Sequence, residues 1–166
     1  MKEDWRSRFW SKIDKRGKND CWEWLGFVKP DGYAQFSLNH KYIYVHRLAY
    51  MDAYNTSIPK GLIVDHKCHN RKCCNPRHLH LVTPQENIEN LCGARHGNKS
   101  GVRGVVWDKD KNKWRVKVCH SYKQYSGGSF NNIKDAEQAA IVLRNKLMVN
   151  NLFDRTEHDT GIHANR

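Results

Sequence analysis

The chain has 166 residues, enough for one ordinary domain or two small ones. With 39% hydrophobic and 28% charged residues it reads as a globular protein rather than a disordered one, and no apolar run approaches the ~20 residues of a membrane helix. The net charge is +12, from 29 basic and 17 acidic side chains, and residues 1–97 and 98–166 each carry +6, so both halves are suited to a polyanion.

The opening segment MKEDWRSRFW lacks the apolar stretch of a secretion signal, so an intracellular protein is expected. Residues 4–15 read as a short amphipathic helix. CWEWLGFV (21–28), a turn at Pro30-Asp31-Gly32 and YAQFSL (33–38) read as an aromatic hairpin, with YIYVH (42–46) as a third strand. RLAYMDAYN (47–55) has helical spacing. GLIVDH (61–66) and HLHLVT (78–83) are strands on either side of a loop of Cys, His, Asn and Arg. Pro84 then opens a helix with Thr83 as its N-cap and Glu86 at the capping-box position.

GARHGNKSG (93–101) has the polar, glycine-containing texture of a linker. Beyond it, 104–108, 113–120 and 124–130 are strand candidates. The long helix 134–151 places Ala136, Ala139, Ala140, Leu143 and Leu147 at 3.6-residue spacing. The tail beyond Phe153 is polar.

In an intracellular chain, six cysteines point to thiolate chemistry rather than disulfides. Cys68, Cys73 and His78 supply three ligands of the kind a tetrahedral Zn²⁺ site uses, within one short loop. Cys21 is the preferred fourth, pinning the first hairpin to the loop, with Cys74, His80 and Cys92 as competitors. Such a site would be closed and structural. Cys92 and His96 form half of a second site that nothing nearby completes.

The same region offers the parts of phosphodiester hydrolysis. His66 can act as a base. Asp65 and Asn87 are hard oxygen donors suited to Mg²⁺ or Mn²⁺, and the carbonyl of Asn75 can accept the second ring N–H of His66. A competing reading makes His66 another zinc ligand, two residues before Cys68.

Asp65-His66, Asn75-Pro76-x-His78-Leu79 and Gln85-Glu86-Asn87 resemble the HNH endonucleases, particularly the phage-type branch whose last histidine is replaced by Asn. The spacing of Cys68, Cys73 and His78 is similar to that of the His-Cys box homing endonucleases. Cys21-Trp22-x-Trp24, Asp31-Gly32-Tyr33 and His46-Arg47-Leu48-Ala49-Tyr50 also fit the phage branch, so the resemblance runs over about residues 20–92. It implies His66 as general base, Asp65 and Asn87 on the catalytic cation, Asn75 orienting His66, and zinc on Cys68, Cys73, His78 and Cys21. Arg47 resembles an arginine that approaches the phosphate, against the plainer reading of a helix-surface ion pair.

In residues 101–153, alternation puts Lys113, Arg115 and Lys117 on one strand face and Trp114, Val116 and Val118 on the other, a basic face over an apolar one. Ser100-Gly101-Val102-x-Gly104-Val105-x-Trp107, Lys113-Trp114-Arg115, Gly128-x-Phe130 and Asp135-Ala136-Glu137-x-Ala139-Ala140 resemble the ethylene-response-factor DNA-binding domain of plants, also found fused to HNH nucleases. That likeness implies Arg103, Trp107, Arg115 and Lys117 facing DNA.

The expected fold is α+β: a zinc-stabilised ββα-metal nuclease core over 1–97, a three-stranded sheet plus helix over 98–153, and a polar tail over 154–166. The expected function is a site-selective homing-type DNA endonuclease using Mg²⁺ or Mn²⁺ at the catalytic site and Zn²⁺ as a staple. Its partner is double-stranded DNA, with no membrane, as a monomer or homodimer in a cytoplasm, a phage being the kind of genome that would encode it. The rivals are a weakly specific HNH nuclease and a zinc-stabilised DNA-binding regulator that does not cut.

Overall fold

The computed structural model describes residues 4–91, 93–94, 96–149, 151 and 153–155. Cys92 and the tail from residue 156 lie outside them. The chain forms two compact units, one through Pro84 and one from Gln85. The composition shift predicts a division at 97/98 instead.

The first unit is built from small pieces. Helix α1 is Trp5–Trp10, capped by the Asp4 carboxylate on Arg6 N–H. It stops at Trp10, where the expected helix ran to residue 15, because Ile13–Asp14 (β1) is drawn into an antiparallel pair with Glu23–Trp24 (β2). That pairing leaves 21–28 with a single bridge, Val28 to Ala34, to the segment expected as its hairpin partner. Instead Gln35–Leu38 (β3) pairs with Lys41–Tyr44 (β4) through Asn39 and His40, both at positive φ as a tight hairpin turn requires. The third strand therefore ends at Tyr44. Val45 and His46, expected in that strand, open helix α2 (Val45–Tyr54), which closes on the left-handed Asn55.

These pieces meet around Phe9, which is fully buried. Its ring lies 5.6 Å from Trp24 and 5.4 Å from Phe36, and the latter two are 6.0 Å apart, mostly edge to face. Ile13, Val45, Leu48, Ala49, Val64 and Leu79 complete the core. Ile63–His66 (β5) and Leu79–Val82 (β6) form an antiparallel pair whose register sets Asp65 opposite His80 and His66 opposite Leu79.

The second unit begins in helix α3 (Pro84–Glu89). Val105–Asp108 (β7), Lys113–His120 (β8) and Lys123–Phe130 (β9) make a three-stranded antiparallel sheet in that order. Helix α4 (Ile133–Leu147), capped by Asn132, lays Ala136 and Ala140 on Val105, Val116 and Val118. The alternation read from β8 matches this face. A bulge at Val116/Lys117 depends on Gly127, where a Cβ would meet Val116 at 2.5 Å.

Phe9→Ala should cost the first unit about 3–5 kcal/mol, the range for emptying a buried aromatic site. Urea denaturation followed by tryptophan fluorescence measures it. A loss below 1 kcal/mol would mean the three rings do not form the central contact.

Candidate functional site

Cys21, Cys68, Cys73 and His78 converge so that one ligand atom from each lies within 4.8 Å of the others, all four buried. His78 Nδ1 is 3.7 Å from Cys21 Sγ and 3.5 Å from Cys73 Sγ. Bonds of about 2.3 Å to sulfur and 2.0–2.1 Å to nitrogen set such atoms ~3.5 Å apart around a tetrahedral zinc. His78 Nε2 donates to the Asn19 carbonyl at 3.0 Å, which leaves the lone pair on Nδ1, aimed into the cluster. Three sulfurs and an imidazole nitrogen fit a metal ion.

The electrostatics agree. Hydrogen bonds from Cys68 and Cys73 hold the Cys21 thiol far below the usual range, while the same contacts push Cys68 far above it. The neighbouring sulfurs of Cys21 and Cys73 raise His78 to about 9, so a metal reaching Nδ1 must displace a proton from it. Three thiols this close cannot all ionise without a cation among them.

The ligands are brought together by backbone. Cys73 bridges to Glu23 of β2, Cys74 N–H donates to Trp22 O at 2.7 Å, and Trp24 N–H to Lys72 O at 3.1 Å. Of the competing ligands, Cys74 turns away into the aromatic core, where burial raises its pKa, and His80 faces Asp65.

His66 ends β5, 4% exposed, with Nε2 3.2 Å from the carbonyl oxygen of Cys73. A carbonyl can only accept, so Nε2 carries the proton and Nδ1 the lone pair. Asn75 does not make this contact. Its amide donates to the carbonyls of Lys18 (3.1 Å) and Asp20 (2.7 Å), and its oxygen accepts from Arg77 N–H. Expected to orient His66, it instead ties segment 18–20 to the metal loop and caps the short 3-10 turn Pro76–His78, because two orphan carbonyls lie within its reach.

Two neighbours were not anticipated. His80 Nε2 lies 3.4 Å from Asp65 Oδ2, a pairing that counting the β5–β6 register would have revealed. His46, next to Arg47, sets its ring 4.8 Å from His66, tilted to it, and stacks on Tyr44 at 5.7 Å. Burial, with His66 and Arg47 beside it, pushes His46 down to about 3. Burial likewise lowers His66 to about 4, against the opposing pull of the Cys73 carbonyl and Asp65. A base with the ordinary pKa near 6.5, as expected from sequence, is thus not what the fold makes. Arg47 is exposed on α2 and in no ion pair among the described residues, which removes the helix-surface pairing. Asn87 sits half-buried in α3, within the second unit.

On the sheet, Arg115 and Lys117 share the face away from α4 with Lys113, Ser126 and Ser129, and Arg115 pairs with Asp108 at 2.9 Å. Trp107 does not join them. It is the register partner of Trp114, rings 4.8 Å apart, on the α4 side. Arg103 is turned inward: its guanidinium donates to the carbonyls of Leu91, Glu89 and Ile88 at and just past the end of α3, where helical hydrogen bonding runs out. Both expected DNA contacts are corrected on these grounds.

A histidine held at about 3 when folded and near 6.5 when unfolded leaves stability intact above pH 6.5 and drains it as pH falls. From pH 6.5 to 5, His46 should account for about 2 kcal/mol of lost stability. His46→Phe should therefore lose less than the wild type between pH 7 and 5 in urea denaturation. An equal loss in both proteins would mean the ring is not buried neutral.

The profile of the HNH endonuclease family matches residues 43–89, from β4 to the end of α3. The chain is similar to protein 2.8 of Escherichia phage T7, 38% identical over 107 residues, covering 61% of this chain and 73% of that protein. It is 40% identical over 72 residues to protein 7.7 of the same phage, covering 43% of this chain and 55% of the relative. YosQ of the Bacillus subtilis SPbeta prophage, which its name proposes as an HNH homing endonuclease, is 29% identical over 148 residues, 82% of each chain. No solved structure matches. The chain thus carries an HNH endonuclease domain over residues 43–89 and is a relative of phage T7 protein 2.8 over most of that protein's length.

Proposed function

We propose that the protein is a site-selective DNA endonuclease of the homing type, hydrolysing phosphodiester bonds with His66 as general base. The observation that carries this reading is the contact of His66 Nε2 with the Cys73 carbonyl. It holds the ring in the tautomer whose Nδ1 can take a proton from water. The water oxygen then attacks phosphorus, its proton passes to Nδ1, and the bond to the leaving sugar oxygen breaks. Cys73 serves twice, as its sulfur lies in the metal cluster while its carbonyl orients His66.

Asp65 and Asn87 supply hard oxygen donors for Mg²⁺ or Mn²⁺, and His80 lies against the Asp65 carboxylate. When bound, that cation neutralises charge developing on the scissile phosphate. Arg47, exposed on α2, is the side chain best suited to meet a phosphate oxygen there. Cys21, Cys68, Cys73 and His78 hold Zn²⁺ as a structural staple.

The outer face of the β7–β9 sheet, with Lys113, Arg115 and Lys117, reads the site, in keeping with the likeness to the ethylene-response-factor domain. The likeness to YosQ over most of both chains supports the homing type. One His66 per chain suits a nick by a monomer, or paired cuts by a homodimer.

His66→Ala should lower cleavage of a target-bearing plasmid in Mg²⁺ by about 10²–10⁴-fold while DNA affinity and zinc content stay unchanged. Zinc lost together with activity would make His66 a ligand and overturn its role as base. A wild type that binds DNA but never cuts would favour the regulator. Chelation that strips zinc should unfold the first unit, since the ion's binding free energy is folding free energy there. Cys21→Ser should bind zinc more weakly, whereas exposed Cys119→Ser should retain it, by elemental analysis.

A further inference from the structure

His46 uses neither of its ring nitrogens within the protein. The residue is 6% exposed, and its Nδ1 is sealed from solvent with no hydrogen-bond partner among the described residues. Nε2 has no partner there either, but it is not sealed. Buried N–H groups without an acceptor are rarer in folded proteins than unpaired acceptors, so the lone pair belongs on Nδ1 and the proton on Nε2. The ring is then a donor at the edge that solvent can reach.

Packing fixes that edge. His46 stacks on Tyr44 at 5.7 Å and lies tilted against Tyr33 at 5.6 Å and His66 at 4.8 Å. With three rings around it, the imidazole is held in place before anything binds. Burial pushes its pKa down to about 3, so it stays neutral and donates a hydrogen bond without giving up its proton.

The surroundings suit an anion. His46 and Arg47 are the second and third residues of α2, whose start at Tyr44 has no side-chain cap. Such a helix end carries partial positive charge, and Arg47 beside it is exposed. The Asp65 carboxylate, also near, lies 3.4 Å from His80 Nε2. A water attacking from His66 Nδ1 lies about 3–3.5 Å from phosphorus, which brings a non-bridging phosphate oxygen within reach of a donor one ring away.

We infer that His46 is a second catalytic residue, whose Nε2–H donates to a non-bridging oxygen of the scissile phosphate and steadies the charge that builds there. The inference rests on the reading of His66 as general base. The water proton still passes to His66, and His46 transfers none.

The test uses the full chain with His46→Phe, His46→Gln and His46→Asn. Phenylalanine keeps the ring and removes the donor, while the Gln amide nitrogen falls near the place of Nε2 and the Asn one near that of Nδ1. His46→Phe should lower kcat on a target-bearing plasmid about 10²-fold, with KM and cation-free DNA affinity within about twofold of wild type. His46→Gln should recover about tenfold of that loss and His46→Asn none of it. Unchanged kcat in His46→Phe, or Gln no better than Asn, would overturn the inference and leave the ring a packing partner of His66. A second readout needs no cleavage: imidazole ¹⁵N spectra of histidine-labelled protein, taken as target duplex is added without Mg²⁺ or Mn²⁺. The His46 Nε2–H resonance should shift in wild type and in His66→Ala alike. A resonance that stays put in both overturns the inference, even if His46→Phe does not fold. His66→Ala that cuts like the wild type while the His46 resonance still moves sinks the base reading instead, and the phosphate contact stands.

Discussion

The first unit depends on the meeting of Cys21, Cys68, Cys73 and His78. Among the described residues, its regular structure amounts to two short helices, a 3-10 turn and three two-stranded sheets, none of which is stable alone. The aromatic cluster around Phe9 gathers the N-terminal pieces, but the loop from Lys67 to Asn75 has no comparable apolar content. What orders it is a set of converging sulfurs with backbone bonds at Cys73 and Cys74 and the amide of Asn75 reaching Lys18 and Asp20. Because Cys73 also accepts from His66, the tautomer of that histidine is a consequence of the loop's closure.

The second unit solves the same problem of irregular backbone with charge-assisted hydrogen bonds. Arg144 and Asp154 are buried together, and Asn151 closes on Asp154 Oδ2 at 2.6 Å. Such a network is favourable only when nearly every member is satisfied, since a lone buried charge costs several kcal/mol. Through the carbonyl of Arg103 it extends to the end of α3. A side chain that sequence alone assigns to DNA is thereby used inside the protein.

On the proposed reading, charge and shape divide the labour of DNA recognition. Lys113, Arg115 and Lys117 alternate with Trp114, Val116 and Val118, so one strand carries both the basic surface and the core under α4. Asp108 fixes Arg115 at 2.9 Å, which trims its free charge and orders it. A polyanion would meet this face as a lattice of cations on a stiff sheet, with little side-chain entropy left to lose at Arg115.

Much of this was legible from the chain itself, where the physics is local. Ligand spacing in the metal loop, the period-two pattern of β8 and the helical stripe of α4 depend on neighbours a few residues apart, and the structure shows the corresponding cluster, sheet and helix. Tertiary structure alone decided the rest. β1 captured β2 and so dissolved the hairpin expected at 21–38, because an exposed strand edge takes whichever partner the core delivers. Asn75 went to Lys18 and Asp20, His80 to Asp65, and Arg103 to the end of α3, each choosing among polar groups more than ten residues away. The division falls at Pro84/Gln85, ahead of the stretch that reads as a linker. Composition and periodicity report which faces must be buried. They do not report which orphan carbonyl a buried amide or guanidinium will reach, since that depends on distances set only when the chain has closed.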